Sequence, residues 1–300
     1  MLDAGLETFR ELVNAGNTYM FLIPIYTTLL LGDRMAHAFF DHSRKWDNRD
    51  MAANLTITAM SFTVNTLAGH LLPLAAIAFI YQYGHVFELP GGSVGWVLGF
   101  LMYDLAWYCD HRIAHRVGFF WAMHHVHHSS SEYNMTVASR GFVVDTTLLS
   151  RPTFYLLPLL GLSPYHFIVI NIFTNVWGIA QHTRLIGKLP LLDLIFATPS
   201  NHRVHHGSNE KYLDMNYGEV LIIWDRLFGT YRAEDQEPDY GVTDPINTCN
   251  PIKIQVAGVA WLATKIKSTS AFSEKLRCLV MPPEWLPPAL PPKPSVTPCI

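Results

Sequence analysis

The chain has 300 residues, of which 50% are hydrophobic and only 15% are charged, and its formal net charge is −3. Soluble globular domains carry about a quarter charged residues, so this composition favours a membrane protein. A charge so close to neutral gives no reason to expect nucleic-acid binding. The four cysteines are scattered and form no CxxC pair, which argues against both a disulfide framework and a zinc finger.

The first uncharged run covers residues 12–32, and its length suits one transmembrane helix, which needs about 20 apolar residues. The loop 33–50 that follows is rich in arginine and lysine, whereas Arg10 is the only basic residue before the run. By the positive-inside rule, we expect this loop on the cytoplasmic side and the N-terminus outside.

Residues 51–87 form a longer apolar run, which fits either one long kinked span or a tight hairpin, and residues 94–109 form the next apolar helix. A further uncharged run, 152–183, is interrupted by Pro158, Gly161 and Pro164, and we expect it to form a helical hairpin. Residues 185–197 are expected to lie at the membrane interface. The proline-rich residues 281–300 cannot continue a helix and are expected to form an extended tail.

Histidines are concentrated between residues 111 and 206. Nine of them form an i, i+4 pair, two HxxHH triples and a single position ahead of the last triple, namely His111 and His115, then His124, His127 and His128, then His182, then His202, His205 and His206. Residues three or four apart lie on one face of a helix and can bind a common centre. His125 points away from its triple, and we expect it either to support the metal ligands from behind or to have a structural role.

Nine imidazoles exceed the needs of one ion, because zinc sites usually take four protein ligands and catalytic zinc sites three. Shared between two ions, they leave four or five for each, so the sequence predicts a two-metal centre. Neutral nitrogen ligands without a bridging carboxylate suit iron that must bind O2, although the order of metal affinities alone does not select iron.

Four other residues are candidates for positions around the metal site: Asp104, Asp110, Asn216 and Tyr217. Asp104 precedes His111 by seven residues on the same helix face, where it can accept a ring N–H and orient a ligand. The alternative for Asp104 is a polar residue that packs between helices.

The motifs HxxxH, HxxHH and a second HxxHH, carried on hydrophobic hairpins, resemble the fatty acid hydroxylase/sterol desaturase superfamily over about residues 99–231. The resemblance includes His182 ahead of the last cluster, Asn216-Tyr217-Gly218 and the stretch Trp224 to Thr230. It implies an integral-membrane di-iron oxygenase in which the nine histidines hold two iron ions.

Within the superfamily, the chain looks most similar to alkylglycerol monooxygenases and their bacterial relatives. Such a likeness implies a lipid substrate, O2 as co-substrate and an external electron donor, either tetrahydrobiopterin or a redox protein. The animal enzymes place an acidic residue directly after the second histidine of HxxxH, where this chain has Arg116. That difference puts the pterin in question.

These observations predict an all-α integral membrane protein. Transmembrane helices and a helical hairpin would carry a histidine-rich di-metal cap on the cytoplasmic side, in a single domain 1–280 followed by the tail 281–300. The alternatives are a sterol desaturase or lipid hydroxylase of the same superfamily, or a membrane metal transporter or non-catalytic scaffold. A transporter would place its ligands at mid-bilayer, whereas these clusters follow the apolar runs.

Overall fold

The computed structural model describes residues 19–40, 46–68, 71–144 and 150–288. Among these residues, the first four helices are α1 (Tyr19–Phe40), α2 (Asn48–Ala68), α3 (Leu71–Gly84) and α4 (Gly92–Arg116), the last of which carries His111 and His115. The remaining helices are α5 (Gly118–His128), α6 (Leu156–Leu159), α7 (Pro164–Gln181), α8 (Pro199–His205), α9 (Ile223–Phe228), α10 (Pro251–Lys267) and α11 (Phe272–Val280). The described residues form no β-strand, only two isolated bridges, so the predicted all-α class is confirmed.

Within the described ranges, no helix combines the length and the apolar character that a bilayer crossing requires. Residues 12–18 of the first predicted span lie outside the described part of the chain. In the predicted run 51–87, α2 is described as far as Ala68 and α3 from Leu71, and residues 69–70 lie outside the described part of the chain.

The predicted hairpin 152–183 is strongly asymmetric. Its first arm consists of a 3-10 turn, Pro152–Tyr155, and the single turn of α6, whereas its second arm is the 18-residue α7. The chain reverses at Gly161, whose φ of 92° is unfavourable for residues with a side chain. Proline in the first arm removes a backbone donor and keeps that arm short.

Helix α7 begins with local signals that are visible in the sequence. The Ser163 side chain accepts a hydrogen bond from the backbone N–H of His166, and Pro164 occupies the first turn, where its missing N–H costs nothing. The helix ends at Gln181, so that His182 stands directly at its C-terminus.

The main apolar cluster joins α4 to α6 and α7. Tyr103 of α4 is completely buried, its ring centroid lies 4.7 Å from that of Phe154, and Asn171 of α7 donates a hydrogen bond of 2.6 Å to its hydroxyl. This packing fixes the C-terminal end of α4, which carries His111 and His115, relative to that of α7, which is followed by His182.

Helix α5 is held from its other side by α10 and α11. A Cβ at Gly258 of α10 would lie 2.1 Å from the Ala122 carbonyl oxygen, and a Cβ at Gly118 of α5 would lie 2.4 Å from the Cys278 carbonyl oxygen. Both glycines therefore allow backbones to approach more closely than any other residue would permit.

The remaining predicted segments have no long helix. Residues 185–197 are irregular except for a 3-10 turn, Leu192–Leu194, and Leu191 is 82% exposed there. Residues 281–288 of the predicted tail are not helical, and residues 289–300 lie outside the described residues.

Candidate metal centre

The nine predicted histidines converge in two adjoining groups. Within each group, one ring nitrogen from each histidine lies within 4.8 Å of those of the others. The first group is His111, His115, His124, His128 and His205, and the second group is His127, His182, His202 and His206. The two groups share a wall, where the ring centroids of His128 and His206 are 4.5 Å apart.

Each HxxHH motif contributes to both groups. His124 and His128, one helical turn apart on α5, belong to the first group, and His127 between them belongs to the second. The last motif is reversed, because His202 and His206 belong to the second group and His205 to the first. The spacing alone predicts that the histidines of a motif share a helix face. It does not reveal that each motif is divided between the two groups, an arrangement that we call the crossed division.

Backbone carbonyl oxygens fix the orientation of four rings. The Nδ1 atoms of His111, His127, His182 and His205 lie 2.8, 3.2, 2.7 and 3.0 Å from the carbonyl oxygens of Tyr217, Arg140, Gly178 and Met215, respectively. A carbonyl only accepts, so each of these Nδ1 atoms carries the proton. The Nε2 atom of each neutral ring is therefore an unprotonated lone pair.

The Nε2 atoms face one another at short distances. Those of His111 and His128 lie 3.2 and 3.1 Å from Nε2 of His124, and those of His206 and His202 lie 3.2 and 3.1 Å from Nε2 of His182. Nitrogens bound to one ion at about 2.0–2.1 Å come this close to each other. The Nε2 atoms of His111 and His182 are lone pairs because their Nδ1 atoms carry the protons, so each group offers unprotonated nitrogen to a cation and the donor set fits metal ions.

Two further ring nitrogens support the same conclusion. Nε2 of His115 and Nε2 of His205 are buried and have no hydrogen-bond partner. Buried polar atoms without a partner are rare in proteins and call for an explanation, and an ion in the first group supplies one.

Desolvation keeps eight of the nine imidazoles neutral at physiological pH. Burial lowers the pKa of His127 to about 3 and that of His182 to about 4, and the positive charge that neighbouring rings would carry adds to the shift. The pKa lies well below its ordinary value in six others: His111, His124, His128, His202, His205 and His206. Neutral rings are the form that binds metal.

Asp214 is an acidic neighbour of the first group that sequence reasoning missed. Its Oδ1 lies 3.5 Å from Nδ1 of His115, and its Oδ2 pairs with Arg116, which also lies 3.0 Å from Glu284. Burial alone would raise the pKa of Asp214, but the hydrogen bond to His115 and the charge of Arg116 hold it below its ordinary value. Asp214 thus acts on His115 in the way that was expected of Asp104.

Asp104 does not contact a histidine ring. Its carboxylate accepts hydrogen bonds from the backbone N–H groups of Val220 and Leu221 and from the indole of Trp224, at 2.9–3.1 Å. The expected role in orienting a ligand ring is therefore wrong. Asp104 anchors the loop 217–224 to α4, which agrees with the packing alternative.

Of the other three candidate residues, Tyr217 contacts the first group directly. Tyr217 contributes its carbonyl oxygen to His111, and its ring centroid lies 5.2 Å from that of His115. Asn216, with a φ of 57°, bonds the backbone of Asn201 and Arg232 and so braces this loop. Asp110 accepts a hydrogen bond from the backbone N–H of Thr153.

A buried polar network supports the second group from behind. The Arg140 guanidinium, 1% exposed, donates to Asp50, Asn54 and Ser129, while its own carbonyl oxygen accepts from His127. Nothing in the spacing of Asp50 and Arg140 indicates that they pair. His125 lies outside both groups, as expected.

Two cavities reach the first group from different sides. The larger, of about 410 Å³, is bordered by His115, His128 and His205 and by the indoles of Trp121 and Trp261. The smaller, of about 50 Å³, is bordered by His111, His124 and Asp110.

Comparison with known proteins agrees with this geometry. Residues 96–230 match the model of the fatty acid hydroxylase family. Human alkylglycerol monooxygenase is 38% identical over 217 residues, which are 72% of this chain and 48% of that protein. The Xenopus tropicalis alkylglycerol monooxygenase is 32% identical over 291 residues, 94% of this chain and 61% of that protein.

A bacterial relative, the ornithine lipid hydroxylase OlsE of Rhizobium tropici, is 33% identical over 152 residues, 50% of this chain and 46% of that protein. The chain spans about half the length of the curated relatives it matches. No solved structure matches it. Residues 96–230, which hold all nine converging histidines, thus match the fatty acid hydroxylase family, in a chain similar to alkylglycerol monooxygenases over most of its length.

Proposed function

We propose that the protein is a membrane-bound di-iron monooxygenase that hydroxylates a C–H bond of a lipid, most specifically the carbon beside the ether oxygen of an alkylglycerol. The single observation that carries this proposal is the convergence of nine histidine side chains into two adjoining groups. The similarity to alkylglycerol monooxygenases supports the choice of lipid.

The first histidine group would hold one iron ion and the second group the other. Two irons supply the activation of O2 and the attack on an unactivated C–H bond. The residues around them provide what an ion alone lacks. The carbonyl oxygens of Tyr217, Met215, Gly178 and Arg140 hold the protons on Nδ1, and Asp214 does the same at His115.

The proposed reaction is balanced by an external reductant. One oxygen atom of O2 enters the C–H bond, and the other leaves as water after taking up two electrons and two protons. Hydroxylation beside the ether oxygen gives a hemiacetal, which falls apart to an aldehyde and a glycerol. Tetrahydrobiopterin and a redox protein are the two candidate electron donors. The donor is the one that sustains O2 uptake when it is added to the purified protein.

We further propose that a lipid bilayer surrounds the apolar helices and that the metal groups lie on its cytoplasmic side. Outward-facing apolar side chains support the first point, such as Val94 and Val97 of α4 and Phe173 of α7, which are 56%, 58% and 49% exposed. The basic residues of the loop 33–50 support the second.

The test combines metal content with product analysis. The full chain, purified in detergent from iron-supplemented cells, is expected to contain about two irons. With a reductant, it should consume O2 only when 1-O-alkylglycerol is added, and release the matching fatty aldehyde. A His202→Ala variant removes one nitrogen of the second group and should abolish aldehyde release. Tight zinc with no turnover under any reductant would refute an oxygenase.

Lipid hydroxylation without ether cleavage is the second candidate, because OlsE is a lipid hydroxylase by name. Lipid profiles of cells with and without the protein separate the two. If the cells accumulate a hydroxylated or unsaturated lipid and no aldehyde, the substrate is an acyl lipid or a sterol rather than an alkylglycerol.

A further inference from the structure

The small cavity beside His111 and His124 is bordered by a carboxylate and a guanidinium that keep hydrogen-bonding capacity unused among the described residues. Asp110 is 2% exposed, and its Oδ1 accepts a hydrogen bond of 3.0 Å from the Thr153 backbone. Its Oδ2 is buried and has no hydrogen-bond partner among the residues that the structure describes. Leaving a buried charged acceptor unmatched is costly, so this oxygen indicates a ligand that donates a hydrogen bond.

Arg151 borders the same cavity and supplies donors. Its guanidinium carbon lies 3.4 Å from the ring centroid of Trp107, also a wall of the cavity, and 5.5 Å from that of Phe154. This stacking fixes the plane of the guanidinium. It forms no hydrogen bond with any other residue in the part of the chain that the structure describes, so its N–H groups remain available.

The size and charge of the cavity limit what it can hold. Its volume of about 50 Å³ has room for roughly three to five water-sized groups, since one such group needs ~10–15 Å³. An anionic phosphate would be attracted by Arg151 but repelled by the Asp110 carboxylate. A neutral group that both donates and accepts hydrogen bonds, such as a pair of neighbouring hydroxyls, matches both residues.

From this arrangement, we propose that Asp110 and Arg151 form a subsite for the neutral, hydroxylated head group of the lipid substrate. The inference rests on the proposed function and adds to it the two residues that select the head group. The hydroxyls would donate to Oδ2 of Asp110 and accept from the Arg151 guanidinium. Because His111 and His124 border the same cavity, a head group bound there lies beside the first histidine group.

The test compares ligands that differ only in the head group. The full-length protein, in detergent and without O2 or reductant, is titrated with 1-O-hexadecylglycerol, with hexadecyl methyl ether and with 1-O-hexadecylglycerol 3-phosphate. Hydrogen bonds to charged groups are worth about a tenfold to hundredfold difference in Kd. We therefore expect the wild-type protein to bind the glycerol ether at least ~10-fold more tightly than the methyl ether.

Two variants remove one side of the subsite each. Arg151→Met keeps the aliphatic stem but loses the donors, and Asp110→Ala removes the acceptor. Both are expected to lose most of the preference for the glycerol ether while keeping the affinity for the methyl ether and the metal content. The matched control is Arg226→Met, because Arg226 also stacks on a ring, 3.7 Å from that of Tyr231, but lies outside the cavity.

The possible results separate the two claims. An unchanged ratio of the two affinities in both variants overturns the subsite, even if both ligands bind more weakly. Tighter binding of the phosphate analogue to the wild-type protein also overturns it, in favour of an anionic head group. If the wild-type protein releases aldehyde from alkylglycerol in either case, the proposed function stands. If it neither binds nor cleaves the glycerol ether, the proposed function fails and the subsite fails with it.

Discussion

Single residues decide how closely the histidine-bearing helices approach their supports. Gly258 places the backbone of α10 directly against the Ala122 carbonyl of α5, the helix that carries His124, His127 and His128. A methyl group at this position meets backbone, which cannot move aside as a flexible side chain can. The position of the second histidine motif therefore depends on the absence of one side chain.

Gly258→Ala is expected to destabilise the fold by about 1–3 kcal/mol, the usual cost of overpacking, although alanine is the better helix former. Thermal or denaturant unfolding measures the loss. Gly32→Ala is the matched control, because Gly32 also lies inside a helix but has nothing within 4 Å of its added Cβ. The Gly32→Ala variant should be as stable as the wild type or slightly more stable. Equal losses of stability in both variants would show that the close contact between Gly258 and Ala122 is not the cause.

Arg140 is a second residue on which the site depends, since its charge is fully buried and its backbone holds the His127 ring. Removing one partner of a buried ion pair leaves the other charge uncompensated, which costs about 3–5 kcal/mol. Arg140→Met should lower the free energy of unfolding by that amount and weaken metal binding in the second group.

The double variant Asp50→Asn/Arg140→Met leaves no unpaired charge and should lose less stability than Arg140→Met alone. Lys211→Met breaks an exposed ion pair with Asp235 and should change little. The single variant Asp50→Asn completes the comparison. If the double variant loses as much free energy of unfolding as the two single variants together, Asp50 and Arg140 do not act as a pair.

At the scale of helices, four chain segments meet at the two metal groups, and each contributes its histidines from a helix end. The last turns of α4 and α5, the C-terminus of α7 and the short α8 supply all nine. An end offers backbone carbonyls that no longer bond within the helix, and Gly178 and Tyr217 show how these and neighbouring loop carbonyls hold ring protons. Helix termini therefore both present the rings and orient them.

The crossed division of the HxxHH motifs predicts how metal content responds to single substitutions. His182→Ala leaves three nitrogens in the second group and should reduce bound metal from about two ions per chain to about one. His115→Ala leaves four nitrogens in the first group, a number that still suffices for many sites, and should weaken binding rather than abolish it. Elemental analysis after dialysis measures both.

His125→Ala is the control for this pair, because His125 is buried on the same helix as the second motif but belongs to neither group. It should retain both ions. Loss of both ions in His182→Ala would mean that the two groups fill only together, which would contradict independent sites.

For the whole molecule, the sequence predicted those site residues that are set by spacing along a helix, and it missed those that are set by the path of a loop. The spacing of the nine histidines predicted which rings converge, because a helical turn brings i, i+3 and i+4 together wherever the helix lies. Asp214 was missed because its φ of 59° and its reach to His115 depend on a loop that has no periodicity.

Asp104 was misplaced for a related reason. Sharing a helix face with His111 fixes its direction from α4 but not what lies opposite, and the loop at Val220 and Leu221 occupies that place. The one-turn first arm of the predicted hairpin was equally hidden, since apolar runs report burial but not where Gly161 reverses the chain. Tertiary contacts, rather than local preference, decided each of these points.

The concentration of neutral imidazoles makes the stability of the whole molecule depend on acid. The folded-state pKa values of His127 and His182 lie near 3 and 4, whereas an unfolded histidine titrates near ~6.5. Between these values the unfolded chain binds more protons than the folded one, so the free energy of unfolding rises with pH in this window. The stability is therefore present above about pH 6.5 and is lost progressively as the pH falls towards about 4.

We expect acid to release the metal and unfold the site in this same window, because protons and metal ions compete for the same nitrogens. Metal retained after gel filtration, and helicity by circular dichroism, are measured at pH 7.5, 6, 5 and 4. The metal-free protein should unfold at a higher pH than the loaded protein, since an ion binds only the folded state and stabilises it. Identical acid midpoints for the two forms would show that the histidine groups do not bind the ions. If the loaded protein kept its metal at pH 4, the imidazoles would not be the ligands.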